Sequence, residues 1–389
     1  MAALVLEGLT KRFGKTIAVN NLSLSVQEKE FFVIYGASGA GKTTTLKLVA
    51  GLEPPTSGQI YLEGRRIDQL EPEDRNVAMT FESYALFPHY TVYENLANPL
   101  RSPRYRMDPK LIDQRVRTIA EMLGIAHILQ HRPSEISGGQ KQRVSLGRSM
   151  VRQPRLFLFD EPLTHVDAKV RHRMRAELHR LATVLNTTTV YVTHDYAEAL
   201  SLGDRIALID HGALVQLGTP RELYDYPRNV FVAQRLGQPE INLLPGVVRS
   251  SPEPTIDLQV GSTCQVALHT RNGRIPAAGP VQVGVRPQDF HLSAPERGWP
   301  GISGEVMLYE PLGTKGVLTL RCGDHRIRLL TPIRTSFHRG ENVRAWLDPT
   351  RLKLFDVESS MNLHYTGRHI DSAPATPAAE DLGAGMPAR

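Results

Sequence analysis

A short run near the N-terminus combines closely spaced glycines with one lysine and one hydroxyl side chain. It fits the pattern G-x-x-x-x-G-K-[ST], which is typical of loops that hold phosphate groups. Glycines let backbone N–H groups turn inward around a phosphate chain, and a lysine ammonium neutralises the negative charge. The run therefore predicts a nucleoside triphosphate site, with its threonine hydroxyl on Mg²⁺. Its residues are Gly36, Ala37, Ser38, Gly39, Ala40, Gly41, Lys42 and Thr43, followed by Thr44.

The sequence on either side of this run predicts the elements that position it. Phe31–Tyr35 is an apolar run rich in aromatic and β-branched side chains, which is typical of a buried strand. Thr44–Ala50 and the glycine that follows predict a helix with a C-terminal stop. Because a helix N-terminus carries a partial positive charge, this helix favours bound phosphate.

A longer helical stretch is predicted from about Thr91 to Ala126. Its apolar residues recur at the spacing of one helix face, and they are Ile112, Val116, Ile119, Met122 and Leu123.

Three further polar motifs stand at the ends of predicted strands or at the start of a predicted helix. Asp160 and Glu161 are adjacent carboxylates at the end of one apolar strand, and His194 ends a second strand. Ser137 is the predicted N-cap of a helix that runs through Met150, and the two glycines after it expose backbone amides. Their order after the phosphate loop indicates one common site.

Two smaller features each have a functional and a structural interpretation. Phe13, ahead of the phosphate loop, could stack on a purine ring or could be an ordinary core residue. Arg101, Arg104 and Arg106 cluster beside a proline. A solvated loop is favoured over a nucleic-acid patch there, because no recognition helix or array of stacking aromatics accompanies the arginines.

Composition sets outer limits on the class of protein. The chain has 389 residues, which is enough for two domains, and a net charge of +6, which does not by itself imply a nucleic-acid partner. Cys264 and Cys322 are the two cysteines, so we expect no disulfide framework and a reducing compartment. No run approaches the ~18 apolar residues of a membrane span, and the N-terminus lacks a signal-peptide pattern.

The motifs together resemble the nucleotide-binding subunit of ATP-binding-cassette (ABC) transporters over residues 3–235. The segment 136–140 resembles the family signature, Asp160-Glu161 the end of the second nucleotide motif, and His194 the switch histidine. The resemblance implies an α/β fold of the P-loop NTPase class. It consists of a mixed sheet with helices, an antiparallel β-subdomain and a helical subdomain at about 88–150, all within a domain that spans 1–237.

The resemblance also implies roles for these residues. Asp160 holds Mg²⁺ through a coordinated water, Glu161 is the general base for the attacking water, and His194 contacts the γ-phosphate. Phe13 corresponds to the aromatic that stacks on adenine. Two subunits close head-to-tail on ATP, so that the signature of one completes the site of the other. The signature residues concerned are Ser137, Gly138, Gly139 and Gln140.

Residues 238–357 predict a different, all-β unit. Short apolar runs alternate with Gly, Pro and Asp turns, which is typical of a small β-barrel. Gly284–Asp289 and Tyr309–Gly313 resemble the oligonucleotide-binding-like (OB-like) regulatory domain, called TOBE, of importer ATPases for sugars, polyols, polyamines and some anions. The barrel lacks a face of clustered aromatic and basic residues, so we expect regulation or dimer support and no nucleic acid. Residues 358–389 are predicted to be a disordered tail.

Two positions depart from the family pattern. Glu82 stands where the family usually has a glutamine that binds Mg²⁺ and water, and His165 precedes Asp167 where small or amide residues are common. A carboxylate suits Mg²⁺, so Glu82 counts here as a metal ligand and catalytic residue, although it adds negative charge beside the γ-phosphate. His165 either packs as a neutral residue or tunes the facing site. These departures motivate the hypothesis of a slower site paired with a non-identical ATPase.

The resemblance implies an energy-coupling ATPase with ATP and Mg²⁺ as cofactors. We expect import of a sugar, polyol, glycerol or glycerol phosphate, with polyamine or anion import as an alternative. The subunit would lie on the cytoplasmic face of the inner membrane, against permease subunits and beside a second ATPase subunit. A periplasmic solute-binding protein would be an indirect partner. Two competing hypotheses are a degenerate subunit that clamps ATP with little turnover, and a non-transport ABC ATPase acting on DNA or ribosomes.

Overall fold

The computed structural model of the chain shows two parts, an α/β unit, which we call the cassette after the family that it resembles, and an all-β unit that follows it. It describes residues 2–80, 85–102, 107–152, 154–163, 171, 175–176, 178–180, 187–249, 254–268, 276–293, 299–332 and 336–364. Glu82, Arg104, Arg106, His165 and Asp167 lie outside these residues. The helices within the described ranges all fall short of the length and hydropathy that a bilayer crossing requires.

Within the described ranges, the cassette contains ten strands and seven α-helices. In chain order the strands are β1 (Ala2–Phe13), β2 (Thr16–Gln27), β3 (Phe31–Tyr35), β4 (Ser57–Leu62), β5 (Arg65–Arg66), β6 (Val77–Thr80), β7 (Leu156–Asp160), β8 (Thr188–Thr193), β9 (Arg205–Asp210) and β10 (Ala213–Gly218). The helices are α1 (Lys42–Ala50), α2 (Val92–Ala97), α3 (Pro109–Met122), α4 (Gly138–Met150), α5 (Tyr196–Leu202), α6 (Pro220–Asp225) and α7 (Val230–Arg235).

The central sheet has the strand order β10-β9-β3-β8-β7-β6. Strand β3 pairs in parallel with β8 and β9, and β7 pairs in parallel with β8 and β6, whereas β10 is antiparallel. Every residue of β3, β7 and β8 is buried, as expected for parallel strands covered on both faces. Because the carboxyl ends of parallel strands meet at one edge, the segments after these three strands are brought together.

The two faces of the central sheet are covered by different layers. Phe32 and Ile34 of β3 pack into a core with α1 and the antiparallel sheet β2-β1-β4-β5. Phe31 and Val33 face the opposite way, into a core built with α2, α3 and α4. The alternation follows from the two-residue period of a strand.

The predicted helical stretch from residue 91 to 126 is interrupted, and in this respect the prediction is wrong. Helix α2 is followed by a 3₁₀ turn at Asn98–Leu100, and α3 begins only at Pro109, with Asp108 as its N-cap. Prolines at these positions lack the N–H that a continuing helix needs, and they therefore start new helical turns. Of the five predicted face residues, Met122 is only partly buried against the same core, and the other four are buried: Ile112, Val116, Ile119 and Leu123.

The all-β unit is a nearly closed, barrel-like arrangement of two five-stranded antiparallel sheets. Its strands are β11 (Asn242–Arg249), β12 (Thr255–Val260), β13 (Ser262–Ala267), β14 (Gly279–Val285), β15 (Phe290–His291), β16 (Gly301–Pro311), β17 (Lys315–Cys322), β18 (His325–Pro332), β19 (Asn342–Leu347) and β20 (Lys353–Asp356). The sheet orders are β13-β12-β11-β14-β20 and β15-β19-β16-β17-β18. Inward-facing residues of both sheets form one core.

The segment after β20 returns to the cassette, which corrects the start of the predicted tail. Met361 bridges Asn229 of the cassette, and the Asn362 side chain donates to the carbonyl of Pro227 at 2.7 Å. Residues 358–364 thus belong to the folded molecule, because backbone pairing with both units holds them. Residues 365–389 lie outside the described part of the chain.

Candidate nucleotide site at the carboxyl edge of the central sheet

The phosphate loop follows β3 and has a backbone that requires glycine. Gly41 has φ +96°, and a Cβ there would lie 2.2 Å from the carbonyl oxygen of Ala18. A Cβ on Gly36 would lie 2.5 Å from the carbonyl oxygen of Ile209. Helix α1 begins directly after Gly41 without a side-chain cap and without an acidic residue in its first turn. Its unsatisfied N–H groups therefore form an anion-binding end.

Lys42 is the buried cation of this loop. Its side chain is 4 % exposed, and Nζ lies 3.0 Å from the carbonyl oxygen of Ala37 and 3.2 Å from Glu161 Oε1. A buried ammonium requires such partners, because an unpaired charge is costly away from water.

Glu161 lies between two groups that arrive from different strands. Oε1 contacts Lys42 after β3, and Oε2 lies 2.6 Å from Nδ1 of His194 after β8. Burial on its own raises the pKa of Glu161, but the charge of Lys42 and the hydrogen bond with His194 outweigh it, so the pKa lies below its ordinary value. The carboxylate is therefore ionised at neutral pH.

The backbone at Glu161 is strained in a way that aims this carboxylate. Its φ is +44°, in the left-handed region that non-glycine residues rarely adopt, and its N–H donates to the carbonyl of Val192 at 3.1 Å. Strain of this kind clusters at functional sites. Here the sharp turn after β7 directs Glu161 toward Lys42, at the same edge of the sheet.

Thr43 and Asp160 place two oxygen ligands side by side. The Thr43 hydroxyl donates to Asp160 Oδ1 at 2.9 Å, and Asp160 is buried. Mg²⁺ in nucleotide sites typically uses one or two protein oxygens, with phosphates and water completing its shell. This donor set fits Mg²⁺. No cluster of three His, Cys, Asp or Glu side chains that would hold a metal alone occurs among the described residues.

The signature-like segment forms an exposed helix start. Ser137 caps α4, its Oγ accepting from the Gln140 N–H at 3.3 Å, while Gln140 Oε1 accepts from the Ser137 N–H at 2.8 Å. Ser137 and Gly138 are exposed, and a Cβ added to Gly139 would meet no atom within 4 Å. The amides at this helix start are open to an approaching surface.

Phe13 is not a core residue, which removes one of its two interpretations. It is 46 % exposed at the end of β1, and Nζ of Lys11 lies 4.8 Å from its ring centroid. A ring in such a position can stack on a base.

Three groups that lie behind His194 were not predicted from the sequence. Tyr191, Thr193 and Glu198 form a buried hydrogen-bonded cluster in β8 and α5. The only sequence signal is the glutamate four residues after His194. It looks like an ordinary acidic residue in the first turn of a helix.

Comparison with known proteins agrees with this architecture. Residues 19–164 match the family model of ABC transporters, and residues 283–355 match that of the TOBE domain. The chain is 39 % identical over 388 residues to the xylose/arabinose import ATP-binding protein XacJ of Haloferax volcanii, covering 97 % of this chain and 99 % of that protein. This chain belongs to the family of ABC import ATP-binding proteins. It is an ATP-binding, ATP-hydrolysing cassette followed by a TOBE domain.

Further relatives of this ABC ATPase are named for different solutes. It is 39 % identical to the sn-glycerol-3-phosphate import ATP-binding protein UgpC of Psychromonas ingrahamii, over 93 % of this chain and 96 % of that one. It is 51 % identical to the trehalose/maltose import ATP-binding protein MalK of Thermococcus litoralis, over 64 % of this chain and 68 % of that protein. The dimeric post-hydrolysis structure of the cassette MJ0796 bound to ADP and Pi aligns with a TM-score of 0.51 and 29 % identity, covering 56 % of this chain and 99 % of that chain.

Proposed function

We propose that this ABC ATPase couples ATP hydrolysis to the import of a carbohydrate or polyol, glycerol phosphate included. The names of its relatives support this solute class. The subunit then lies on the cytoplasmic face of the inner membrane, bound to permease subunits. A periplasmic solute-binding protein delivers the solute to the permease.

The observation that carries the catalytic part is the contact of Glu161 with both Lys42 and His194. The loop amides and Lys42 bind the β- and γ-phosphates, with Thr43 and Asp160 as the residues that hold Mg²⁺. Mg²⁺, when bound, neutralises phosphate charge. Because its pKa is low, Glu161 is ionised and accepts a proton from the attacking water.

Phosphate binding and activation of Glu161 are linked through Lys42. The ammonium that now contacts Glu161 Oε1 is the group that a γ-phosphate needs. When the γ-phosphate binds Lys42, Glu161 loses its contact with this ammonium, and its carboxylate can turn toward water. His194 stays within hydrogen-bond distance of the other oxygen and orients it.

Dimer formation supplies the remaining contacts. The solved cassette MJ0796 is a dimer with ADP and Pi. In the proposed arrangement, the exposed start of α4 at Ser137 in one subunit faces the phosphate loop of the other, and its amides approach the γ-phosphate. Phe13 stacks on the adenine ring. Release of phosphate removes the charge between the subunits and lets them part.

Replacement of Glu161 by Gln tests this role. We expect ATP binding to persist and turnover to fall by about 10²-fold or more, because a positioned general base contributes about 10²–10⁴ in rate. Phosphate release and the binding of a fluorescent ATP analogue measure the two effects. Glu121→Gln, on the exposed side of α3, is the control. Parental turnover in Glu161→Gln would show that Glu161 is not the base.

The proposed solute class is tested by measuring ATP turnover of the complete transporter. The subunit is purified with its permease partners, placed in vesicles and supplied with candidate solutes and the solute-binding protein. Stimulation of ATP turnover by a sugar, polyol or glycerol phosphate is the expected result. Stimulation by a polyamine or an inorganic anion instead would contradict the proposed solute class.

The acidic residue at position 82 supports a second proposal, in which this site is the slower of two in a heterodimer. Glu82 is acidic where the resemblance to the family leads us to expect a glutamine. Turnover of the chain alone is compared with turnover beside an ATPase encoded nearby, with and without Glu82→Gln. A faster Glu82→Gln variant is expected, whereas a fully active homodimer that this change leaves unaltered or slows would contradict the proposal.

A further inference from the structure

Glu198 is a buried carboxylate to which the catalytic scheme assigns no role. It lies in the first turn of α5 and is 4 % exposed. Its Oε2 accepts from the hydroxyl of Thr193 at 2.7 Å and from that of Tyr191 at 2.9 Å. Burial raises the pKa of Glu198 and the charge of Asp195 adds to the rise, while the two hydrogen bonds oppose it. A carboxylate is rarely buried so completely unless it is paired.

The two hydroxyls that bind Glu198 belong to the strand that carries His194. Tyr191 and Thr193 are two residues apart on β8, so their side chains share one face. The Thr193 hydroxyl also accepts from the N–H of Asp195 at 3.0 Å. The Thr193 hydroxyl therefore links Thr193 and Asp195, the residues on both sides of His194, and this hydroxyl is bound to Glu198.

The chain between β8 and α5 contains only His194 and Asp195. Asp195 Oδ1 caps α5 by accepting from the N–H of Ala197 at 2.7 Å and of Glu198 at 3.2 Å. A turn this short cannot shift at His194 without breaking the bonds at Thr193 or at the helix start.

The imidazole itself has little other support. The His194 side chain is half exposed, and within the described ranges its hydrogen bond is to Glu161. Its position is therefore set mainly by the backbone of the turn. A group that holds the turn also holds the distance between His194 and Glu161.

We propose that Glu198 is a positioning residue for ATP hydrolysis, which aims His194 by binding Thr193 and Tyr191. The inference rests on the proposed function, since Glu198 acts only through the roles given to His194 and Glu161. It makes no contact with nucleotide. Loss of Glu198 should therefore lower the rate of the chemical step and leave ATP binding, which depends on the phosphate loop, unchanged.

The test compares four variants of the full-length chain. Glu198→Ala removes the acceptor, Glu198→Gln keeps an acceptor oxygen without charge, and Tyr191→Phe removes one donor. Glu222→Gln is the matched control, because Glu222 also lies in the first turn of a short helix, where it binds Thr219, but in α6. Steady-state phosphate release gives kcat, and a fluorescent ATP analogue gives affinity.

We expect kcat to fall by about 30-fold in Glu198→Ala and by about threefold in Glu198→Gln and Tyr191→Phe, because misplacement of a catalytic group by about 1 Å can cost about 10²-fold. ATP affinity should stay within about twofold of the parent, and Glu222→Gln should match the parent in both. Parental kcat in Glu198→Ala overturns the inference. A parallel loss of kcat and affinity overturns it too, since a positioning role predicts that the two separate.

Two further comparisons make the result decisive. If circular dichroism shows that Glu198→Ala is unfolded, Glu198→Gln and Tyr191→Phe decide by the same criteria. Parent and Glu161→Gln are measured alongside. An inactive parent, or an active Glu161→Gln, overturns the proposed function and this inference together. An active parent, an inactive Glu161→Gln and fully active Glu198 variants overturn this inference alone.

Discussion

Lys42 is a buried charge whose partners both belong to the protein. Its ammonium is held by Glu161 and by the carbonyl of Ala37, so the loop carries its cation without an unpaired buried charge. A phosphate group competes with Glu161 for this cation. The proposed base, Glu161, is thus also the counterion of the loop cation.

At this scale we predict that Lys42→Ala weakens ATP binding by about 10- to 100-fold, since a hydrogen bond to a charged group contributes about 1.5–3 kcal/mol. Titration with a fluorescent ATP analogue measures the loss. Lys47→Ala, which removes the same charge from the last turn of α1, is the control and should bind like the parent. Unaltered affinity in Lys42→Ala would contradict the role of its ammonium.

The loop between β3 and α1 positions Lys42, and its glycines differ in whether they leave room for a side chain. Gly39 and Gly41 both have positive φ, at +79° and +96°. A Cβ on Gly39 meets nothing within 4 Å, whereas a Cβ on Gly41 collides with the carbonyl oxygen of Ala18. Position 39 therefore requires only a left-handed backbone conformation, whereas position 41 also has no space for a Cβ.

These two glycines give a paired prediction. Gly39→Ala should destabilise the cassette by about 1–2 kcal/mol, the cost of a left-handed backbone in a residue with a Cβ. Gly41→Ala should cost about 3 kcal/mol or more, because the collision adds to the strain, and it should impair ATP binding as well. Urea unfolding of each variant measures the difference. Equal losses for the two would show that the collision relaxes without cost.

In the whole molecule, the all-β unit is fastened to the cassette by a buried cation. Arg286 is 1 % exposed and donates to the carbonyls of Leu236 and Tyr224, with its guanidinium 3.6 Å from the centroid of the Tyr224 ring. Burial lowers the pKa of Arg286, but the guanidinium remains charged. The contact joins the start of the TOBE match to the end of the cassette.

We predict that Arg286→Ala destabilises the protein by about 3 kcal/mol, because one buried and one partly buried carbonyl lose their donor at about 1–3 kcal/mol each. Thermal unfolding should show an earlier transition, and limited proteolysis should cut between the two units. Arg344→Ala, on an exposed arginine that covers Trp346, is the control. If both variants unfold like the parent, Arg286 does not fasten the units.

The returning segment 357–364 gives the stability of the protein a pH dependence. Burial lowers the pKa of His364 below its ordinary value, so the unfolded segment takes up a proton more readily than the folded one. The contribution of His364 to stability is complete above about pH 6.5 and is lost as pH falls toward its folded pKa. Thermal unfolding between pH 8 and pH 5 should show this loss in the parent. It should be smaller in His364→Gln and unchanged in His211→Gln, a variant of an exposed histidine.

Some features are determined locally and could be predicted from sequence. The phosphate loop, strand β3, the capped helix α4 and the alternating strands of the barrel depend on short-range patterns of glycine, capping residues and apolar side chains. The same local reasoning failed where prolines divide α2 from α3, and at residues 358–364. These seven residues look like a polar tail until their partners at Asn229 and Pro227 are known.

The available groups can be read from the sequence alone: a loop cation, two adjacent carboxylates and a histidine after a strand. The tertiary structure brings Lys42, Glu161 and His194 together, since β3, β8 and β7 are neighbours in an order that differs from their order in the chain. It also decided that Glu198 is buried behind His194 and that Arg286 joins the two units. Pairing between distant strands brings these groups together, and no local pattern encodes it.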